Sequence, residues 1–227
     1  MYSNNYKKKN ILMDNITENK FEIDKFYDDL SNSWDKTRPK YTQEIFRKII
    51  AHLDKNKPYS ILDFGCGTGL LCKFISDNFR NAKIEGIDIS SQMIKKAKIN
   101  CSNCKFYVGD IISINLPNYD VIVSKDVFNH IDDIHQTISR FNDLLNPNGM
   151  LVIANRERER KVKDEIVNTL KTMDYEISTE YHSFKPTKQE IASFIDTLSS
   201  FKEEHKNIIR KKLEGEDKYY IIFADKK

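Results

Sequence analysis

A strand that runs directly into three alternate glycines constrains this chain more than any other feature. The short apolar strand ends at Asp63, and Gly65, Gly67 and Gly69 follow it. Glycine permits left-handed backbone angles and close approach of a ligand to the main chain. An amphipathic helical pattern begins at Thr68 or Gly69, so the N–H groups of a helix start would face the loop. The pattern predicts a site where a small nucleotide-like molecule lies against the backbone.

The residues beside these glycines do not match two common phosphate-binding loops. The dinucleotide motif Gly-x-Gly-x-x-Gly requires a glycine at position 70, where this chain has Leu70. A P-loop requires Lys followed by Ser or Thr after its last glycine, but Leu70 and Leu71 stand there. The loop therefore favours a different nucleotide-like ligand.

Carboxylates accompany the ends of three predicted strands. Asp63 precedes the first glycine, Asp88 ends the strand 83–88, and Asp110 follows the strand 105–109. In a parallel sheet the carboxyl ends of the strands meet at one edge, which is where α/β proteins bind ligands. Three carboxylates would repel a pyrophosphate. They suit a ligand with an ammonium group, a ribose diol, an adenine amino group and a sulfonium charge.

In order and spacing, these motifs resemble those of the class I (Rossmann-like) S-adenosylmethionine-dependent methyltransferases of the small-molecule type. The resemblance covers residues 59–155, with a fourth strand at 119–124 and a turn before the fifth at 145–149. It implies S-adenosylmethionine as the cofactor, with Asp88 as the ribose-binding acid. The cofactor-binding residues that it implies in this core are Asp63, Gly65, Cys66, Gly67, Asp88, Ile89, Met93, Asp110, Ile111 and Ser124.

Strand and helix patterns alternate from Tyr59 onward, which predicts an α/β fold with a parallel, doubly wound sheet. The resemblance implies seven strands, with the last, Tyr219 to Ala224, antiparallel beside the fifth. A strand is also predicted from Tyr175 to Tyr181. Capping boxes that start at Thr187 and Ser200 predict two helices inserted before the last strand.

The predicted domain organisation is a single methyltransferase domain behind a polar tail. The tail is expected to be flexible because it is rich in Asn and Lys. The predicted parts are a tail at 1–18, a helical cap at 19–57, a cofactor-binding core at 59–155 and a C-terminal half with substrate-side helices at 156–227.

The segment 26–41 resembles the N-terminal cap of small-molecule methyltransferases. The resemblance implies that Tyr27 covers the sulfonium end of the cofactor and that Arg38 meets its carboxylate. An aromatic ring beside a sulfonium is a reasonable cation–π contact. The alternative is that Tyr27, Leu30 and Trp34 simply pack a helix on the sheet, since they are spaced i, i+3 and i+7.

The segments after strands four and five are predicted to face the methyl acceptor. The resemblance implies that Ser124 meets the cofactor's amino group through its backbone carbonyl. His130 has a suitable intrinsic pKa for a base, although it could equally be a helix-end or core histidine. Methyl transfer needs alignment more than a base, so His130 and Tyr27 are candidate catalytic residues only. Arg156 could bind an acidic acceptor.

The predicted function is methyl transfer to an N or O atom of a small-molecule acceptor. The alternatives are a methyltransferase acting on RNA or protein, and a non-catalytic protein that binds S-adenosylmethionine. The net charge of +3 does not argue for nucleic acid, and the basic residues between Lys202 and Lys212 are typical of a solvated helix face. Nucleic acid is therefore not expected as a partner, and the protein is expected to be a monomer or a homodimer.

Metal binding, disulfide bonding and membrane insertion are not expected. Metal-dependent relatives place several acidic ligands after strands four and five, where this chain offers only Asp126 and Asn155. Cys101 and Cys104 form a lone C-x-x-C without the further ligands that zinc requires. Free thiols are expected in a reducing cytoplasm, and a redox dithiol is the alternative. The chain has no apolar run of roughly 18 residues, and its lysine-rich start is no secretory signal. The expected location is the cytoplasm.

Overall fold

A single seven-stranded sheet organises the protein. The computed structural model describes residues 41–157, 160–196 and 202–227. The strands are β1 (Ser60–Phe64), β2 (Lys83–Asp88), β3 (Lys105–Val108), β4 (Tyr119–Lys125), β5 (Leu145–Arg156), β6 (Tyr175–Phe184) and β7 (Asp217–Lys226). The helices are α1 (Tyr41–Ile49), α2 (Leu70–Asn78), α3 (Ser91–Asn100), α4 (Ile134–Leu144), α5 (Arg160–Thr172), α6 (Lys188–Asp196) and α7 (Glu203–Leu213), with a 3₁₀ turn at Phe128–His130.

The sheet has the strand order β3-β2-β1-β4-β5-β7-β6. β1 is parallel to both of its neighbours, because Ile61 pairs with Ile84 of β2 and with Val121 of β4. β5 is parallel to β4, and β7 is antiparallel to β5, with Ile153 opposite Ile222. The predicted sheet, including the antiparallel last strand beside the fifth, is confirmed. As a result, the carboxyl ends of β1, β2, β4 and β5 lie along one edge.

The predicted turn at 145–149 is part of β5 rather than a separate connection. Tyr119 pairs with Leu145, whereas Val121, two residues later, pairs with Met150. The intervening residues therefore form a bulge, in which Asn148 has a left-handed φ of 59°. A Cβ on Gly149 would lie 2.8 Å from the Asn146 carbonyl oxygen, so the bulge needs glycine there.

The central strands are buried on both faces, as expected for a parallel sheet between helices. Ile61 and Leu62 are adjacent in β1, and neither is exposed to solvent. On one side of the sheet, the ring of Phe141 in α4 packs edge-on against Phe64 (5.1 Å between centroids) and Phe128 (6.2 Å). This aromatic group connects α4 to the end of β1 and to the turn after β4.

Side-chain caps fix where several helices begin. Ser90 accepts a hydrogen bond from the Met93 N–H at the start of α3, and Asp133 accepts one from the Gln136 N–H at the start of α4. The capping box predicted at Thr187 is present, since Glu190 Oε2 accepts from the Thr187 N–H and Thr187 Oγ1 accepts from the Glu190 N–H. The second capping box, at Ser200, lies outside the described residues.

Residues 183–218 are assigned to a different compact unit from most of the sheet. One unit comprises Ile45–His182 and Tyr219–Lys227, and Ser183–Lys218 belongs to the other. Within the second unit α6 packs against α7, and its buried side chains include Ile191 and Ile195. The prediction of a single domain over 19–227 stays a prediction, as does the proposed substrate-side role of these helices.

The expectation of free thiols at Cys101 and Cys104 is wrong in this structure, which joins them in a disulfide. The reason is local geometry. The Cys104 N–H donates to the Cys101 carbonyl in the turn after α3, and this turn brings the two Cα atoms to 5.4 Å, within the range that a disulfide spans. Cys66 and Cys72 remain free and buried.

None of the helices in the described ranges has the length and apolar character needed to cross a lipid bilayer. β6 is three residues longer than predicted, since it continues past Tyr181 to Phe184. β7 is also longer than the predicted 219–224.

Replacing Phe141 tests the aromatic packing. Phe141 is fully buried between Phe64 and Phe128, so Phe141→Ala should lower the free energy of unfolding by about 3–5 kcal/mol. Urea denaturation followed by circular dichroism measures this change. The matched control is Ile99→Ala, whose side chain is 81% exposed and should change stability by less than about 0.5 kcal/mol. Equal losses from the two variants would contradict the assignment of this core.

Candidate functional site

The glycine loop after β1 is tied directly to β2. The N–H groups of Gly65 and Cys66 both donate to the carbonyl of Ile87, at 2.9 and 3.0 Å. All three glycines have left-handed φ angles: 68° at Gly65, 53° at Gly67 and 76° at Gly69. The turn thus needs glycine at these three positions, because each of them has a left-handed φ.

The three glycines meet different surroundings. A Cβ on Gly65 would lie 2.3 Å from a methyl group of Val127, and one on Gly69 would lie 2.9 Å from the Cβ of Ala97. A Cβ on Gly67 would meet no atom of residues 41–157, 160–196 or 202–227 within 4 Å. Gly67 therefore presents bare backbone to open space, which is the arrangement that a ligand lying against the main chain requires.

Asp88 connects the glycine loop to the start of α3. Its Oδ2 accepts from the Gly67 N–H at 2.9 Å, and its Oδ1 accepts from the Ser90 N–H at 2.8 Å. Burial raises the pKa of Asp88, even though these two N–H donors act to lower it. A carboxylate oxygen can accept more than one hydrogen bond, so Asp88 has the chemistry to receive a diol while holding the loop.

Asp63 is buried beneath this loop and is not exposed on its surface. Its side chain is 2% exposed, and the Cys72 thiol donates to its Oδ2 at 3.3 Å. Burial raises the pKa of Cys72 well above its ordinary value. An interaction with Cys72 lowers the pKa of the Cys66 thiol, but burial and the carboxylates of Asp63 and Asp88 outweigh it, so that pKa is also raised.

The other predicted cofactor residues around β2 and β3 lie in contrasting environments. Ile89 follows Asp88 and is 56% exposed, and Met93 is half-buried in the first turn of α3. Asp110 is exposed, and its Oδ1 accepts from the Ile112 N–H. Ile111 instead has its side chain in the hydrophobic core. The Gly109 N–H donates to the Asp88 carbonyl, so these two loops are directly joined.

The end of β4 carries a residue with a strained backbone. Ser124 is buried in the sheet opposite Phe64 and Ile153. Asp126, just beyond the strand, has a left-handed φ of 60°, and its N–H donates to the Ala154 carbonyl of β5. Aspartate tolerates this conformation, but such strain is typical of functional sites. His130 is exposed at the end of the 3₁₀ turn that follows.

A charged network joins the ends of β4, β5 and β7. Lys125 and the hydroxyl of Tyr219 both donate to Oδ2 of Asp126, and the Arg156 Nε donates to the Tyr219 hydroxyl at 2.8 Å. Both cations also lie near the Tyr219 ring, with Lys125 Nζ at 5.5 Å and Arg156 Cζ at 5.6 Å from its centroid. Burial alone would raise the pKa of Asp126, but Lys125 and Arg156 hold it well below its usual range.

Next to this network lie buried polar atoms that lack partners. Asn155 and Tyr220 face each other across the β5–β7 ladder, and both are 0% exposed. Within the described residues, no hydrogen bond reaches either amide atom of Asn155, the hydroxyl of Tyr220, Oδ1 of Asp126 or Oγ of Ser124. Burial raises the pKa of Tyr220, and the charges of Asp126 and Glu157 act in the same direction, whereas an interaction with the Asn155 side chain acts to lower it, so the two side chains are close enough to partner each other after a small rotation.

The sequence did not indicate two members of this region, Tyr219 and Tyr220. They reach Arg156 and Asn155 only through the antiparallel register of β7, across more than 60 residues of chain. A Tyr-Tyr pair at the start of a strand gives no signal of such a partner. The predicted cap residues Tyr27 and Arg38 lie outside the described residues, and their roles stay predictions.

Comparison with known proteins identifies the family. Residues 55–224 match the family model for a methyltransferase domain, which covers well over half of the chain. The chain therefore belongs to the methyltransferase domain family. This membership confirms the predicted class and, with it, S-adenosylmethionine as the cofactor that the glycine loop and Asp88 fit.

Individual relatives match shorter stretches. The malonyl-acyl-carrier-protein O-methyltransferase of Halalkalibacterium halodurans is 37% identical over 108 residues, which are 44% of this chain and 40% of that protein. This chain thus matches less than half the length of that relative.

Two solved structures share the fold at low identity. One is the cyclase SpnF, with a TM-score of 0.64 and 16% identity over 81% of this chain and 80% of that one. The other is phosphoethanolamine N-methyltransferase 2 of Haemonchus contortus, crystallised with phosphomonomethylethanolamine and S-adenosylhomocysteine. Its TM-score is 0.66, with 17% identity over 87% of this chain and 56% of that one. At these identities the two structures support the fold alone.

Two glycine substitutions distinguish an effect on the free energy of unfolding from an effect on ligand binding. Gly65→Ala combines left-handed strain with a clash against Val127, so it should lower the free energy of unfolding by at least about 1–3 kcal/mol. Gly67→Ala adds its methyl to open space and should keep more stability while weakening S-adenosylhomocysteine binding. Urea denaturation and calorimetry measure the two effects. A Gly67→Ala variant that binds like the unsubstituted protein would contradict the position of the cofactor.

Removing the Asp88 carboxylate should weaken both the cofactor and the loop. Asp88→Ala leaves the Gly67 and Ser90 N–H groups without their acceptor, which costs about 1–3 kcal/mol of stability. Loss of hydrogen bonds to the ribose should reduce S-adenosylhomocysteine affinity by about tenfold or more, as measured by calorimetry. The control is Asp77→Ala, an exposed carboxylate paired with Lys73. Unchanged affinity in Asp88→Ala would show that Asp88 does not bind the ribose.

Proposed function

We propose that the protein transfers the methyl group of S-adenosylmethionine to an oxygen atom of a small-molecule acceptor. The observation that carries this proposal is the bare backbone of Gly67 beside the Asp88 carboxylate, within a chain of the methyltransferase domain family. Oxygen is preferred to the equally predicted nitrogen because the similar curated relative is an O-methyltransferase, although the match covers only part of that protein.

The proposed cofactor-binding residues hold and orient S-adenosylmethionine. Asp88 would accept hydrogen bonds from the ribose diol, with exposed Ile89 and half-buried Met93 beside it. Asp110 would accept from the adenine amino group, and Ser124 would lie beside the amino-acid end. Asp63 acts through the loop, since it is enclosed by protein. The bound cofactor supplies an activated methyl group, so the chain mainly has to align the acceptor with it.

The acceptor side offers no strong general base among the predicted residues that the structure describes. Asp126 keeps its charge far below neutral pH because of Lys125 and Arg156, which makes it a weak base. His130 is exposed on its turn and is proposed to have only a modest role. We further propose that the protein acts in the cytoplasm, as a monomer or homodimer and without a metal ion.

Calorimetry and a labelled-methyl assay test the function. The protein should bind S-adenosylmethionine and S-adenosylhomocysteine with micromolar affinity, about −8 kcal/mol, and should not bind NAD. Methyl-labelled cofactor should label oxygen acceptors within a panel of small carboxylates, phenols, alcohols and amines. Addition of EDTA should leave this labelling unchanged, and His130→Ala should reduce it only a few fold.

Two results would contradict the proposal. Binding of NAD without binding of S-adenosylmethionine would remove the cofactor assignment. Labelling of amines alone, with a stable product that survives alkaline hydrolysis of esters, would show that nitrogen is the acceptor.

A further inference from the structure

A single turn of chain that begins at Asp110 lies between β3 and β4. The Asp110 carbonyl accepts from the N–H groups of Ser113 and Ile114, both at 3.1 Å. The Oδ1 atom of the same residue accepts from the Ile112 N–H at 3.0 Å. The turn therefore orients both the backbone and the carboxylate of Asp110. Because the first turn of a helix costs more conformational freedom than its few hydrogen bonds return, such a turn needs support from outside itself.

Arg140 of α4 supplies polar support to this turn. Its Nε donates to the Ile111 carbonyl at 3.2 Å, and its Nη2 donates to the Ile114 carbonyl at 2.9 Å. Carbonyls at the end of a helical turn have no partner within the turn, so these two bonds satisfy them. An extended chain would place the two carbonyls about 10 Å apart, which is beyond the reach of one guanidinium. Arg140 therefore binds the turned form of this segment selectively.

The helix that carries Arg140 is firmly attached to the core. The next residue, Phe141, is fully buried and packs between two aromatic rings. At the end of the helix, Lys226 Nζ donates to the carbonyls of Asn142 and Leu145, at 2.7 and 3.1 Å. None of these contacts involves the cofactor loops. Arg140 thus connects the turn at Asp110 to a part of the core that is already fixed before a ligand binds.

The Asp110 carboxylate is the group that this turn presents to the cofactor in the proposed function. Its side chain is exposed, and the Ile112 N–H bonds to Oδ1, which leaves Oδ2 to accept from the adenine amino group. A carboxylate that is oriented in advance loses less freedom when the ligand binds. Hypoxanthine has a carbonyl oxygen where adenine has its amino group. A fixed carboxylate would therefore meet a second acceptor there and would discriminate against that base.

We propose that Arg140 is a positioning residue for recognition of the cofactor's base. It binds the carbonyls of Ile111 and Ile114 and thereby holds the turn in which the Asp110 carboxylate is set to accept from the adenine amino group. Arg140 does not itself touch the cofactor in this arrangement. The inference rests on the proposed function, in which Asp110 binds the adenine, and it adds the residue on α4 that makes this contact selective.

Calorimetry with two ligands tests the inference. S-adenosylhomocysteine and S-inosylhomocysteine differ only in the base, which is adenine in the first and hypoxanthine in the second. The unsubstituted protein should bind S-adenosylhomocysteine more tightly by about tenfold or more. Arg140→Met should weaken S-adenosylhomocysteine by about fivefold or more, because the carboxylate is no longer oriented in advance. The same change should hardly affect S-inosylhomocysteine, so the ratio of the two affinities should fall towards one.

Two further variants show whether the effect comes from the hydrogen bonds of Arg140. Arg80→Met removes a guanidinium from an exposed position and should leave the affinity ratio unchanged. Arg140→Lys keeps a charged donor but cannot reproduce the fork that reaches both carbonyls, so its ratio should lie between those of the unsubstituted protein and Arg140→Met. Thermal unfolding followed by circular dichroism is measured for each variant, because a purely structural role would lower Tm without changing the ratio.

Each other outcome counts against the inference or against the proposed function. A folded Arg140→Met protein that keeps the full ratio would overturn the positioning role, as would an equal loss in Arg80→Met. If Arg140→Met does not fold, Arg140→Lys decides, and a full ratio in that variant would overturn the role. Equal binding of both ligands by the unsubstituted protein would refute base recognition at Asp110 but keep the cofactor. Failure of the unsubstituted protein to bind S-adenosylhomocysteine would refute the proposed function itself.

Discussion

The structure depends on the left-handed turn that follows β1. Two successive N–H groups of this turn donate to one carbonyl of β2, that of Ile87, and a third donates to the Asp88 carboxylate. These bonds fix the loop between two parallel strands and at the same time decide which part of its backbone faces outward. Because Gly65 and Gly69 are crowded by Val127 and Ala97, only Gly67 can present open backbone. Packing of the core thus determines the shape of the cofactor site.

The network around Asp126 depends on a different feature, the insertion of β7 beside β5. An antiparallel strand in this position brings its first residues to the carboxyl end of β5, so that Tyr219 lies opposite Arg156 and Tyr220 opposite Asn155. The two faces of the β5–β7 pair then carry different kinds of side chain. One face completes the charged network around Asp126, and the other places neutral polar groups on the core side.

The glycine loop and its place between the ends of β1 and β2 could be predicted from the sequence, because the information for them is local. Gly65, Gly67 and Asp88 lie next to the strands that position them. Because β1 and β2 are parallel, the ends of these strands lie at the same edge of the sheet. The network at the ends of β4, β5 and β7 could be predicted only in outline, since Tyr219 and Tyr220 depend on a register with β5 that is set far away in the chain. The sequence also did not indicate the disulfide at Cys101, because compartment statistics favour free thiols, whereas the turn after α3 brings the two cysteines together. Ile111 shows a third limit, because a motif position gives no information on whether its side chain turns into the core.

The raised pKa of Cys66 has a consequence for a protein that binds an alkylating agent. A thiolate is a strong nucleophile, and a thiolate in the loop that holds a sulfonium would compete with the acceptor for the methyl group. Burial and the two neighbouring carboxylates raise the pKa of this thiol, so its thiolate is rarer than that of an exposed cysteine at the same pH. The carboxylates of Asp63 and Asp88 thus make Cys66 a poorer nucleophile than its position in the loop would otherwise allow.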